Sequence, residues 1–585
     1  MKNVLFLCGL LYATVASSQN PAPAIRLNQL GFYPKAPKEA VVIGDGPERD
    51  FYIRQAGTEK IIFTGKLTAS GAHPRLAPEN RIADFSRFRK PGTYFIEIPT
   101  LGRSYLFDIK KDVHRRAALG ALKGFYYQRT FVDLPSRYAG PWARAAGHPD
   151  TAVYIHGSAA TLQRPEGTII SSPYGWYDAG DYNKYIVNSG ITVATLLSLY
   201  EDFPGDCRNL RVDIPESGNS LPDVLDEALF NLRWMLTMQD SYDGGVYHKL
   251  TNANFDPMDV MPAKAVSKRY VVQKSITATL DFAAVMAQAS RIFKQFDREM
   301  PHFADSCLIA AEQAWQWAKQ NPEARYDQQE MNKHYEPDIV TGGYGDSDPG
   351  DEWIWAAIEL WITTQKDGYK DAVQSFADNK VPLPAWNTVR TLGYYSLIRL
   401  QQKLPSSVWH DEIERVKKNI LSMADSMVIG ASTHPFHTVM GRYDRDYVWG
   451  SSAVAANQGI FLMQAYRIAQ DKKYLQAALT NLDYLLGRNA TGYCFLTGFG
   501  HKRVMYPHHR PSVADDQPEP VPGLLSGGPN PGQQDKCPGY PSQLPDQSFM
   551  DATCSYSTNE IAINWNAPMV YLTAAIEILQ DELGK

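Results

Sequence analysis

The chain changes its grammar near Asp112. Ahead of that point short β-rich runs alternate with turns; behind it apolar residues recur at helical spacing through a dozen segments, with no strand pattern interleaved between them. A doubly wound sheet and a βα barrel both need a strand between successive helices, so both are excluded. The runs Ala40–Ile43, Asp50–Ile53, Lys60–Phe63 and Gly92–Ile98, separated by Gly, Pro and Asp, predict a small β-sandwich over 24–108. Helices are expected at 112–127, 190–203, 221–240, 274–294, 304–320, 351–366, 368–378, 388–402, 409–427, 451–469, 472–486 and 560–581. That set, joined by long loops rich in Trp and Tyr, suits an α/α toroid of paired inner and outer helices with a cleft formed by loops at one end.

Residues 1–18 read as a secretory signal peptide: Met1-Lys2-Asn3, an apolar run from Val4 to Val15, then Ala16-Ser17-Ser18. Cys8 invites a lipid anchor, but cleavage there would leave almost no apolar region ahead of it. No later segment is long and apolar enough to span a bilayer, so a soluble, secreted or periplasmic protein is expected. Lys and Arg number 58 against 63 Asp and Glu, a net charge of −5 that argues against a nucleic-acid partner. The cysteines show no C-x-x-C spacing; one bridge, Cys537 with Cys554, is compatible with them. The Pro- and Gly-rich stretch 511–547 is expected to fold as a wall of the cleft.

Three motifs carry chemistry. In Gly175-Trp176-Tyr177-Asp178-Ala179-Gly180-Asp181, two carboxylates separated by small residues can converge on one water; an Asx turn or half of a calcium site reads the same letters. In Pro507-His508-His509-Arg510, an imidazole and a planar cationic fork suit sugar hydroxyls or a carboxylate, and a solvated basic loop is the alternative. In the stretch 549–568, Glu560 opens an apolar segment, where desolvation would raise its pKa into the range of a general acid; a helix N-terminus is the plainer reading. G-x-S-x-G, P-loop and kinase patterns are absent from the sequence. Two loop-borne carboxylate groups with abundant aromatics point to glycoside hydrolysis, which needs an acid and a base across a sugar ring.

The D-A-G-D loop, the P-H-x-R loop and the F-x-D-x4-Y-x3-E-x-A-x3-N-A stretch stand in one order, behind Ile25-Arg26-Leu27-Asn28-Gln29-Leu30-Gly31-Phe32 and Phe125-Tyr126-Tyr127-Gln128-Arg129. Together they resemble glycoside hydrolase family 9, the inverting cellulase family, in its branch with an N-terminal immunoglobulin-like domain. The resemblance implies an all-α (α/α)6 barrel over 112–583 preceded by an all-β immunoglobulin-like sandwich over 24–108. It implies Asp181 as general base, Asp178 as its assistant on the same water, and Glu560 as general acid. His508 and Arg510 would bind sugar near the cleavage point; Asp551 and Tyr556 would line the site and support Glu560. Trp142, Trp176 and Trp449 resemble positions that stack glucosyl rings, each with core packing as the alternative.

Related enzymes hold zinc through thiolates where this chain has Thr130 and Gly147-His148, so zinc is not expected. Ser347-Asp348-Pro349-Gly350-Asp351-Glu352 resembles a calcium loop of the family, while Asp351 and Glu352 also read as a helix N-terminus. No organic cofactor is expected, and the protein is expected as a monomer. The implied activity is inverting hydrolysis of β-1,4-glucans, endo-acting on cellulose-type, xyloglucan or mixed-linkage chains. Exo action behind a blocked cleft, a non-catalytic glycan binder on this scaffold and a polysaccharide lyase are the alternatives.

Overall fold

The computed structural model describes residues 21–70, 80–376, 380–405 and 410–584; the leader expected at 1–18, with Cys8, lies outside the described residues. So do residues 377–378 and 409 at the edges of two expected helices.

The N-terminal unit is a β-sandwich. Its strands are β1 Ile25–Arg26, β2 Gly31–Phe32, β3 Glu39–Ile43, β4 Asp50–Gln55, β5 Ile61–Ala69, β6 Asn80–Asp84, β7 Gly92–Ile98, β8 Gly102–Arg103 and β9 Phe107–Ile109. They run in the order β1-β3-β6-β5-β4-β7-β9-β2, with β8 on β7. The long β5 turns the corner between layers, pairing with β4 through its first half and with β6 through Leu67–Ala69. Alternate residues such as Phe51, Ile53, Tyr94, Ile96 and Phe107 fill the space between the layers. Sequence reasoning found the strands with sustained apolar runs and missed β1, β2, β8 and β9, which are only two or three residues long, and β6, where Asn, Arg and Asp dilute the pattern.

Each of the twelve expected helical segments contains a helix. They are α1 Arg115–Gln128, α2 Ile186–Asp202, α3 Asp223–Thr237, α4 Ile276–Phe293, α5 Phe303–Gln320, α6 Gly350–Thr364, α7 Gly368–Phe376, α8 Arg390–Leu400, α9 His410–Thr433, α10 Ser451–Ala469, α11 Lys472–Leu485 and α12 Ile563–Ile578. The even-numbered helices are buried almost throughout their length and touch one another: α12 on α2, α2 on α4, α4 on α6, α6 on α8, and α10 on α12. Tyr395 of α8 and Phe461 of α10 bring their rings to 6.4 Å. Each odd-numbered helix backs one of them, α1 on α12, α3 on α2, α5 on α4, α7 on α6, α9 on α8 and α11 on α10. The loops between helices are not strand-free as expected. A small sheet of Val153–Ile155, Ile169–Ile170, Lys184–Tyr185, Lys249–Asn252 and Arg269–Val271 forms among them, its strands too short to show a period.

At the far ends of the buried helices a charge network closes. Asp202 of α2 accepts from Arg399 Nε at 2.9 Å and Tyr571 OH at 2.6 Å, and pairs with Arg467; Glu201 takes Arg291 Nε at 2.8 Å. The sandwich docks through the residues that open it. Asn28 donates to Asp483, Tyr33 OH to Glu577, and Gln29 Oε1 accepts the backbone amides of His501 and Lys502 at 2.7 and 2.8 Å.

Candidate active site

The opposite ends of the buried helices converge on a cavity of about 760 Å³. Helix after helix starts just beyond a residue of its wall: Tyr185 before α2, Tyr344 before α6, Trp386 before α8, Trp449 before α10 and Ala562 before α12. Helix N-termini therefore face the cavity, an electrostatic setting that suits carboxylates.

Three loops carry the charged groups and are pressed together. Gly180 lies against the 507–510 loop so closely that a Cβ there would stand 2.0 Å from the His508 carbonyl oxygen. The Gly180 carbonyl accepts from both the backbone N–H and the guanidinium of Arg510, at 3.1 and 2.8 Å. Arg510 Nε donates to the Asp256 carbonyl at 2.8 Å, so this cation fastens two loops while lining the cavity. His508 and Glu560 form a parallel bridge, and the Ile563 amide donates to the Asp178 carbonyl at 2.8 Å. Glu560 is thus extended backbone ahead of α12, which begins at Ile563 rather than at 560 as expected: the bridge to His508 outcompetes helix formation there.

The acids differ in their surroundings. Asp178 is buried and accepts Asn188 Nδ2 at 2.9 and 3.0 Å and Tyr344 OH at 3.1 Å. Burial, then the neighbouring Asp181, push its pKa well above the usual carboxylate value, against those donors. Asp181 accepts from Asn183 Nδ2 and, at 3.3 Å, from Tyr185 OH. Tyr185 and Tyr344, whose rings lie 4.8 Å apart, have pKa values pushed far up by burial and stay protonated donors. Glu560 lines the same cavity as the two aspartates; burial, then Asp181 and Asp178, raise its pKa well above normal, with Arg510 and the Gly180 amide pulling the other way. His508 donates Nδ1–H to the Thr553 carbonyl at 2.7 Å, and burial lowers its pKa, leaving a neutral ring with Nε2 free to accept.

The cavity thus gathers Asp178, Asp181, Glu560, His508, Arg510, Tyr556 and Trp449. Trp449 is 41% exposed and packs at 5.4 Å on Tyr556, which offers an open aromatic platform. The next residue, Gly450, takes φ +87°, and a Cβ there would meet Trp565 Nε1 at 2.6 Å; glycine alone lets both indoles reach the wall.

Other expected residues fall elsewhere. Trp176 is fully buried against Phe125, its indole N–H 3.3 Å from Glu227, so no ring face is left for a sugar. Trp142 lies outside the cavity wall, packed on Tyr127 and donating to the Glu519 carbonyl at 3.0 Å. Asp551 does not line the cavity: it accepts the amides of Met505 and Tyr506, both at 2.9 Å, and Asn559 Nδ2 at 3.1 Å, holding the 505–506 turn to the strand that bears Glu560. The 511–547 stretch is a brace behind the site and contributes no cavity wall. Gly527 N–H donates to the Glu560 carbonyl at 2.8 Å, Asp535 accepts Ser557 N–H at 2.8 Å, and a Cys537–Cys554 disulfide ties the stretch to the Glu560 loop.

Asp351 and Glu352 are buried in the first turn of α6, with Asp351 accepting the Val389 amide. Both oxygens of Asp281 and Oε2 of Glu352 have no hydrogen-bond partner, and burial and mutual repulsion raise the pKa values of these acids and of Asp346. As placed, three His, Cys, Asp or Glu side chains do not close around a common metal position among the described residues. At the positions considered for zinc, the buried His148 gives Nδ1 to Tyr177 OH at 2.8 Å.

Sequence reasoning missed Tyr344, Trp386 and Phe255, which sit on long loops without a motif, and passed over Asn564 and Trp565 inside the stretch 549–568 and Tyr185 just beyond the D-A-G-D loop. Lys249 is a further omission: it donates to Thr341 Oγ1 at 3.0 Å and to the Gly342 carbonyl at 2.6 Å, pinning the loop that presents Tyr344.

Residues 115–573 match the model of glycosyl hydrolase family 9, and residues 20–103 match that of the cellulase N-terminal ig-like domain. The chain is 46% identical to a xyloglucan-specific endo-beta-1,4-glucanase of Bacteroides ovatus over 98% of this chain and 97% of that one. It is 34% identical to endoglucanase D of Acetivibrio thermocellus over 94% and 83% of the two chains. A solved family 9 structure from Bacteroides ovatus superposes with a TM-score of 0.90 at 44% identity, covering 96% of this chain and all of that one.

Proposed function

The chain belongs to glycosyl hydrolase family 9, and from that premise we propose that its cavity cleaves the β-1,4-linked backbone of xyloglucan with inversion. It is an endo-acting β-1,4-glucan hydrolase. The observation that carries the assignment of roles is the meeting, in one cavity, of a proton-holding Glu560 with the Asp178–Asp181 pair.

In this reading Glu560 protonates the departing glycosidic oxygen. Its raised pKa keeps the proton available toward neutral pH. Asp181, oriented by Asn183 and Tyr185, takes the proton of the attacking water. Asp178 holds the same water and is itself fixed by Asn188 and Tyr344. Inversion needs a water on the face of the ring opposite the leaving group, the role given to this pair. His508 Nε2 accepts a sugar hydroxyl, Arg510 binds sugar while keeping its two loops in register, and Trp449 with Tyr556 stacks a glucosyl ring. Asp551 acts at one remove, as a positioning residue for the Glu560 strand.

The twelve helices are read as an (α/α)6 barrel, the alternation of buried and backing helices being its support. The orphaned carboxylate oxygens of Asp281 and Glu352 suit a hard cation, and a structural calcium at Asp351 and Glu352 would have to draw these acids closer together than they stand. A leader at 1–18, export from the cytoplasm and a monomeric state complete the proposal.

The test is a product profile on tamarind xyloglucan, mixed-linkage glucan, carboxymethyl cellulose and cello-oligosaccharides, with viscosity followed in parallel and the anomer of the first product read by NMR. Xyloglucan preference with a fast viscosity drop and α-anomer release is expected. A β-anomer overturns inversion, and release of short products without viscosity loss overturns endo attack.

A further inference from the structure

A second hollow of about 500 Å³ adjoins the catalytic cavity, and the two share a wall: Trp386, Trp449, Trp565 and Asn564 line both. Ala453 of α10 presents little side chain to it, and it ends on apolar residues of α9, Met423 and Met427. None of the acids assigned to catalysis lines it. Four side-chain amides line it, those of Asn387, Asn457, Gln458 and Asn564. Asn564 is 7% exposed and its Oδ1 is fully covered without a hydrogen-bond partner; Asn457, 6% exposed, lines the same hollow one turn beyond Ala453.

A covered amide oxygen without a donor costs free energy unless a ligand supplies one. Indole faces with a few convergent amides, in a concavity of several hundred Å³, match one ligand chemistry closely: a small neutral sugar, whose C–H face stacks and whose hydroxyls donate and accept. Three charged side chains also line it, each with a partner: Arg442 and Arg445 lie over the Tyr443 ring, at 4.6 and 4.5 Å, and the buried Asp446 accepts from Gln458. The location also matters: a ring entering from the catalytic cavity must pass beside Trp449, the platform for the backbone.

We propose that this hollow is a branch pocket, which receives a single-sugar substituent of the glucan while the backbone occupies the catalytic cavity. The inference rests on the hydrolase reading above and deepens it. Substitution would then be a recognition element rather than a steric burden, with Asn564 and Asn457 bonding the hydroxyls of the branch.

The test compares kcat/KM on xylosylated and unsubstituted cello-oligosaccharides of equal backbone length. Ala453→Phe fills the hollow from α10 without touching the catalytic cavity, and Asn457→Ala removes an amide without adding bulk; thermal melts confirm that each is folded. Both variants are expected to lose about tenfold or more on the xylosylated substrate, the equivalent of a stacking face or one or two hydrogen bonds, with turnover of the unsubstituted one changed less than about twofold. Equal loss on both substrates, or no loss on either by both variants, overturns the branch pocket and leaves the hydrolase reading standing. A wild-type protein that cleaves no glucan overturns the hydrolase reading and the branch pocket with it.

Discussion

The two ends of the buried helices handle charge in opposite ways. At the far end the side chains of Glu201 and Asp202 are 8% and 0% exposed, yet Arg291, Arg399 and Arg467 outweigh the cost of burial and hold both pKa values below the usual range. At the cavity end Asp178, Asp281 and Glu352 are buried and Glu560 is half-buried, all close to other acids, and their pKa values rise. Helix α2 alone carries both conditions, with Asp178 and Asp181 just before its start and Asp202 at its end. One end is satisfied and acts as a clamp; the other keeps proton affinity unspent, as a site for proton transfer must. Stability is concentrated where chemistry is not.

Removing the proposed proton donor should do the most damage. Glu560→Gln is expected to cut turnover of xyloglucan by about 10³-fold with binding retained, checked by reducing-end assay and by calorimetric titration. Unchanged turnover would overturn the assignment of the cavity end. At the far end, Arg399→Met should deprive Asp202 of its main counter-ion and Glu201 of one of its two, and cost about 3 kcal/mol or more in unfolding free energy, read by denaturant titration. The sign with pH follows from the lowered pKa values: the stability these pairs add is present above the unfolded carboxylate range and is lost as pH falls through the folded pKa, so the gap between wild type and Arg399→Met should narrow toward pH 3.

Two smaller effects probe the same contrast. Calcium at millimolar concentration should raise the melting temperature and a chelator lower it, with Glu352→Gln abolishing the response; a melt indifferent to both removes the cation from the cavity end. At the seam with the sandwich, Gln29→Ala strips an acceptor from the amides of His501 and Lys502, at the base of the loop that runs to His508 and Arg510. A cost of about 1–3 kcal/mol is expected, with loosened sugar binding seen as a raised KM.

What the sequence made legible divides along the same line. Helix positions were readable because one-sided burial writes a period into backing helices such as α1, α3 and α11, while helices buried on every face, such as α12, show as long apolar runs. The three charged loops were readable because close packing forces small residues beside acids, as at Gly180 against His508. The environment of each aromatic was not. Trp176 and Trp449 are the same residue in equally aromatic surroundings, yet one is sealed against Phe125 and the other stands open beside Tyr556, a difference made by chain segments 51 and 107 positions away. Tyr344 and Trp386 escaped because loops fixed by tertiary contacts, such as the one Lys249 holds, carry no local period. Glu560 was placed at a helix start for the same reason: its strand-like conformation comes from His508, 52 positions earlier in the chain.

The weakest effect discriminates best. Below about pH 4, Glu560 is protonated in both the folded and the unfolded chain, and Glu560→Gln is nearly isosteric with it, so the two proteins should melt alike. Above that range the unfolded chain releases the proton freely while the folded one resists, because burial and the two aspartates raise its pKa. Wild-type stability therefore falls, relative to the variant, as pH rises from the unfolded toward the folded pKa. At pH 7 Glu560→Gln should be the more stable protein by about 1 kcal/mol or more, since a tenfold difference in proton affinity between the folded and unfolded chains is worth about 1.4 kcal/mol. The advantage has the opposite sign to the loss in Arg399→Met, although both fade on acidification. A Glu560→Gln variant less stable than wild type at pH 7 would mean that the cavity end is clamped as the far end is, and the contrast between them would fail.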